Sequence, residues 1–167
     1  GDQEMLATVP SVGDETASAI VVDASGDIYL GGRASNGGSP FVLRLNATGQ
    51  VQEQRDFTGS GNIVSLALDA SGALLALTRT DGQSTLRQLD TASLATDLAT
   101  FSLGAVDASA LAVSSTGEIA VAGSTATAVA GTQVNGLTGG QDGFVTRISA
   151  DLSAAATSYI GTTDDES

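Results

Sequence analysis

The chain has 167 residues and a formal net charge of −13, from 19 Asp and Glu against 6 basic residues, all of them arginine. That length holds one domain or part of a larger one, and the charge excludes nucleic-acid binding, which needs clustered Lys or Arg to neutralise phosphates. Histidine, cysteine, lysine and tryptophan are absent, which removes Ser-His-Asp and Cys-His nucleophiles, His or Cys metal sites and disulfides, and leaves carboxylate chemistry or none.

In chain order, Glu4 to Val9 reads as a short outer strand. Ile20-Val21-Val22 and Ile28-Tyr29-Leu30 then flank Asp23-Ala24-Ser25-Gly26, a strand, a tight turn closed by a φ-permissive glycine, and a second strand. The turn recurs as Asp69-Ala70-Ser71-Gly72 and, weaker, as Ser114-Ser115-Thr116-Gly117, its glycines 46 and then 45 residues apart. Leu66 to Leu68 and Leu74 to Leu77 flank the second copy, Leu111 to Val113 and Ile119 to Val121 the third.

A third strand follows in each unit as Phe41 to Leu45, Thr85 to Leu89 and Phe144 to Ile148, and a fourth ends on an aromatic. The step from the last apolar residue of strand three to that aromatic is 12 for Phe57, 12 for Phe101 and 11 for Tyr159, so these aromatics are expected at equivalent places. Four short strands per unit of about 45 residues predict an all-β chain of β-propeller blades. The apolar runs are too short, and too closely fenced by Gly, Ser, Asp and Asn, for helical repeats.

The run from Ala19 to Gly32, with Val121-Ala122-Gly123-Ser124-Thr125, Gly139-Gly140-Gln141-Asp142-Gly143-Phe144-Val145 and Ser158-Tyr159-Ile160-Gly161, resembles the bacterial β-propeller repeat family described as the seven-bladed repeat. The second unit departs most, with Thr85 where the family prefers an aromatic and Arg79 where it has Gly. The resemblance covers about residues 15 to 167. It implies a propeller from secreted or envelope-associated bacterial proteins and brings no common catalytic residues.

The expected organisation is one propeller segment: residues 1–13 as the outer strand of a preceding blade, 14–58, 59–104 and 105–161 as three blades, and 162–167 as the start of a following one. The third blade carries an insertion at 126–141. A propeller ring takes roughly 4 to 8 blades, so this chain is not expected to close alone. It is expected to join further blades of a longer chain, or to self-assemble with other copies.

Candidate sites are few. Asp23 and Asp27 flank the first turn as oxygen ligands of the kind Ca²⁺ takes, against a plain hairpin in which Asp accepts backbone N–H groups. Asn135, Gln141 and Asp142, in and beside the insertion, are candidate contacts for a protein or glycan. Arg44 and Arg147 hold matching places in strand three, and Asn46-Ala47-Thr48 fits an N-glycosylation sequon at a natural turn.

The expected role is a non-catalytic structural or protein-interaction module of a secreted or cell-surface bacterial protein. The acidic, lysine-free composition and the lack of a spanning apolar run accord with that setting. The alternatives are a glycan-binding propeller and a carboxylate-based hydrolase or lyase that would converge Asp14, Asp107 and Asp164 on one rim. No resident cofactor is expected beyond a structural Ca²⁺.

Overall fold

The computed structural model describes residues 15–35, 38–138 and 140–161. Residues 1–13, expected as an outer strand, Asp14 and the acidic run from Asp164 to Glu166 lie outside them. The described chain is all-β, arranged as three sheets of four or five strands. The first sheet holds β1 (Glu15–Val22), β2 (Ile28–Ala34), β3 (Pro40–Leu45) and β4 (Val51–Asp56). The second holds β5 (Gly61–Leu68), β6 (Leu74–Thr80), β7 (Gln83–Leu89) and β8 (Asp97–Gly104). The third holds β9 (Asp107–Val113), β10 (Ile119–Thr125), β12 (Asp142–Ile148) and β13 (Ala155–Ile160), with β11 (Thr132–Gln133) at its edge.

Each sheet is an antiparallel meander because its turns are local. Gly26, Gly72 and Gly117 adopt φ of 87°, 86° and 85°, the left-handed region an L side chain resists. In each copy the glycine N–H donates back to Asp23, Asp69 or Ser114 across the turn. Asp23 Oδ1 accepts the N–H groups of Ser25 and Asp27 at 2.8 and 2.9 Å, and Asp69 Oδ1 those of Ser71 and Ala73 at 2.7 and 3.0 Å. Ser114 Oγ takes the same part with Glu118 N–H at 3.0 Å. A bulge interrupts every first strand, at Ser18, Val64 and Ser109, positions 46 and 45 residues apart.

The sheets stack through their faces, with the first strand of each against the next: β5 packs on β1 and β2, and β9 on β5 and β6. The face that one sheet turns toward the next is called leading here, and the opposite face trailing. Strand alternation puts Tyr29 and Val42 on the leading face of the first sheet, where they meet Ile63, Leu66, Leu74, Ala76 and Leu89 of the second. Leu75, Leu77, Leu86 and Leu103 lead the second sheet onto Ile119, Val121, Phe144 and Ile148 of the third. These large side chains are nearly all fully buried, each contributing about 1.5–3 kcal/mol to holding the sheets together.

The expected equivalence of the fourth-strand aromatics does not hold. Phe41, Thr85 and Phe144 occupy matching places in strand three and pair with Asp56, Ser102 and Tyr159. Tyr159 therefore corresponds to Asp56 and Ser102, whereas Phe101 corresponds to Arg55 and Phe57 to Leu103. The turns before the fourth strands span 46–50, 90–96 and 149–154, and bulges interrupt the first two ladders but not the third. A slip of one residue moves a side chain to the other face, so Phe101 faces forward while Tyr159 joins the trailing core with Phe144.

Candidate functional site

The Asp23 carboxylate is engaged by the fold. Besides its two backbone donors, Asp23 accepts the Tyr29 hydroxyl through Oδ2 at 3.4 Å. Burial chiefly, then the neighbouring Asp23 charge, pushes the Tyr29 hydroxyl above its ordinary pKa. Asp27 stands at the far end of the same turn, and among the described residues no group of three or more His, Cys, Asp or Glu side chains gathers that could hold a metal ion. Asp107, the one described member of the acidic trio, forms an ion pair with Arg79. Asn46 Oδ1 closes its own turn, accepting the N–H groups of Thr48 and Gln50 at 3.1 and 2.9 Å.

The insertion binds its own sheet. β11 runs parallel to β13, with Thr132 opposite Ala156 and Gln133 opposite Thr157. Asn135 then imitates a strand: its Oδ1 accepts the Tyr159 N–H at 2.7 Å and its Nδ2 donates to the Tyr159 carbonyl at 2.9 Å. Val129 is buried, and its N–H donates to the Tyr159 hydroxyl at 2.9 Å. The insertion thus covers an edge strand whose unpaired groups would otherwise offer a template for another chain. Gln141 Nε2 donates to Ser124 Oγ at 3.1 Å, and Asp142, only 2% exposed, accepts the Thr138 N–H through Oδ2 at 2.5 Å. Asn135, Gln141 and Asp142 share one end of the third sheet, each held by neighbours rather than turned into a common pocket.

The surface left open is the leading face of the third sheet. The ladders set two cross-strand rows on it: Ala112, Ala120, Arg147 and Ala156, then Ala110, Ala122, Val145 and Ser158. The corresponding rows of the first sheet are Val21, Tyr29, Arg44 and Glu53, then Ala19, Gly31, Val42 and Arg55, and the second sheet covers them. In the second sheet they are Ala67, Leu75, Gln88 and Ala99, then Ser65, Leu77, Leu86 and Phe101. On the third sheet Ala110 and Ala112 are exposed, and nearby Ile160 is 69% exposed.

Arg44 and Arg147 make the contrast specific. Arg44 Nη1 crosses the first junction to donate to the Thr91 carbonyl, in the turn between β7 and β8, at 2.5 Å. Arg147 has the same place in its strand, but its side chain is 69% exposed and, among the described residues, pairs with Glu118 in the turn before β10. A groove of about 510 Å³ opens beside that pair along Thr116, Ile148 and Ala156. This face was not legible in the candidate residues, because alanines carry no chemical signal; only their register exposes it.

No helix among the described residues is long and apolar enough to cross a membrane. No family model matches the chain, and no curated protein does. Among solved structures, one described as a protein of unknown function from Bacteroides caccae is similar, with 9% identity over 91% of this chain and 74% of that one and a TM-score of 0.49.

Proposed function

We propose that the chain is a non-catalytic structural and protein-interaction segment of a β-propeller, three blades of the bacterial seven-bladed repeat type, in a secreted or cell-surface protein. Its leading face receives a further four-stranded sheet of the same repeat. The observation that carries this reading is the register match between three leading faces, two covered and one open. The first strands also adjoin from sheet to sheet, the arrangement in which propeller blades surround an axis. The trailing face of the first sheet adds support: Ile20 and Val22 are 63% and 54% exposed, whereas Leu66 and Leu68 of β5, and Leu111 and Val113 of β9, pack on the preceding sheet.

At the first junction one large trailing side chain meets a small leading one, where Ile63 stands over Gly31. Ala122 is the register counterpart of Gly31 and the smallest side chain able to meet a trailing residue there. Contact of leading with trailing face is heterologous, so repetition closes a ring or extends an array.

The test introduces one cysteine, Ala122→Cys, into a chain that has none, and follows thiol accessibility together with native and denatured mass. A protected thiol is expected in either of two forms. A native mass that is a multiple of 16.4 kDa means that the sheet comes from another copy, and a denatured mass above 16.4 kDa means that it comes from the same polypeptide. A monomer of 16.4 kDa whose thiol stays reactive at every protein concentration overturns the reading.

A further inference from the structure

The two junctions between sheets are built on one plan but differ in their outer half. At the second junction that half is apolar: Phe101 leads onto the core that contains Phe144, and Thr146 behind it is fully buried, sharing a hydrogen bond with Thr157 at 2.8 Å. At the first junction the corresponding places hold Arg55, Thr85 and Arg87. Thr85 stands where both other sheets carry a buried phenylalanine, Phe41 and Phe144. The volume those rings would fill is a cleft of about 270 Å³.

The two arginines in it are held in place. Asp97 Oδ1 accepts from Arg55 Nη1 at 2.7 Å and Oδ2 from Arg87 Nη1 at 2.8 Å, while Arg55 Nη1 also donates to the Leu94 carbonyl at 2.7 Å. Both guanidinium groups lie by the Phe57 ring, their Cζ atoms 4.6 and 5.5 Å from its centroid. One carboxylate thus serves two cations, and these three groups sum to one positive charge. The lining residue Asp56 turns its carboxylate to the face of Gln54, whose Nε2 donates to it at 2.9 Å. Two of the six arginines of a chain with net charge −13 meet here, where the bound carboxylate leaves guanidinium N–H groups to spare and the side chains stay 18% and 30% exposed.

We propose that this cleft binds one acidic monosaccharide unit, a hexuronate or a sulfated hexose. The spare N–H groups of the two forks match a carboxylate or sulfate oxygen pair. Thr58, Thr80 and Thr85 line the same cleft, and their hydroxyls match the ring hydroxyls of a sugar. The volume, at the small end for ligand cavities, suits one ring and not an extended chain. A bare anion uses only the arginines; an acidic sugar uses both halves of the lining.

The experiment is a titration of the chain with glucuronate, glucose 6-sulfate, glucose and inorganic sulfate, followed through the backbone amide resonances of Thr58, Thr80 and Thr85. The acidic sugars should shift them saturably, with affinity falling as salt rises, and glucose should bind at least about tenfold more weakly. Thr85→Phe restores the ring present in the other two sheets and should abolish the shifts while keeping both arginines. Arg87→Gln should weaken binding by about tenfold or more, and Arg147→Gln, on the open face, should leave it unchanged. Thermal midpoints confirm folding, and if Arg87→Gln fails to fold, Thr80→Val and Thr85→Phe decide. Saturation by neither acidic sugar, unchanged binding in Thr85→Phe, or inorganic sulfate binding as tightly as both sugars would overturn the proposal, the last leaving an adventitious ion only.

Discussion

Ile63 of the second sheet stands directly over Gly31 of the first: a Cβ on Gly31 would lie 2.6 Å from the Ile63 Cγ2. Ser18 Oγ donates to the Ile63 carbonyl at 2.5 Å, so β5 is tied to β1 at the point where the side chain enters the hole. The glycine is there for closeness of approach, in extended backbone, and not for a turn. Gly31→Ala should therefore destabilise the chain by about 1–3 kcal/mol through overpacking. Ile63→Ala creates a cavity on its own but removes the Cγ2 that the new methyl meets, so the double variant should lose less than the sum of the singles in urea denaturation. Strict additivity would mean that the two residues do not press on each other.

The open leading face makes a comparison between equivalent valine and leucine positions informative. Leu86 is fully buried at the second junction, and Val145 holds the same register place on the uncovered third sheet. Leu86→Ala should cost about 2–5 kcal/mol. Val145→Ala should cost less than about 1 kcal/mol in a monomeric chain, and more once a further sheet covers it. Unfolding midpoints measured at low and high protein concentration separate the two cases.

Acid should loosen the second hairpin. Burial pushes the Asp69 carboxyl up, but hydrogen bonds from the Ser71 hydroxyl, Gln88 and the N–H groups of Ser71 and Ala73 together outweigh it and hold it below the usual carboxylate range. A folded pKa below the unfolded one stabilises the fold above the unfolded value and loses that contribution as pH falls through the folded value. Asp69→Asn should flatten this part of the acid-unfolding curve. At the surface, the hydroxyls of Ser149 and Ser153 lower the Asp151 carboxyl to about 2, which carboxyl carbon resonances followed down the pH scale should reproduce.

Removing the side chain that pairs with the edge of β13 should expose that edge without unfolding the sheet. Asn135→Ala deletes both hydrogen bonds to the Tyr159 backbone. Amide exchange at Tyr159 should then accelerate, while Thr146 and Phe144, inside the sheet, keep their protection. Equal protection of Tyr159 in the variant would mean that the rest of the insertion covers the edge unaided.

Much of the local structure was legible along the chain. Alternating apolar residues around Asp23 to Gly26 and its copies mark the hairpins, and three glycines at nearly one φ follow from the demands of one turn. The candidate residues fared differently. Asp23 and Asn135 drew attention as polar groups in loops, and both are engaged with backbone partners that no one-dimensional pattern reveals. Arg87 carried a signal that went unread: it holds a strand place where the other units have Leu43 and Thr146, both fully buried. A charge at such a place marks a departure from the repeat, and its neighbour Thr85 had already marked the same unit.

By itself, then, the sequence determined an all-β chain of repeated hairpins, its acidity, and the absence of histidine, cysteine and lysine chemistry, because turn conformation and side-chain inventory are local properties. The tertiary structure decided which face each residue occupies. Bulges and unequal turns shift register by single residues, which puts Phe101 and Tyr159 on opposite faces, and the stacking of separate sheets brings Arg55 to Arg87 and leaves Ala122 uncovered. Those relations depend on strands far apart in the chain, whose packing is settled by burial of whole faces and not by any short run of residues.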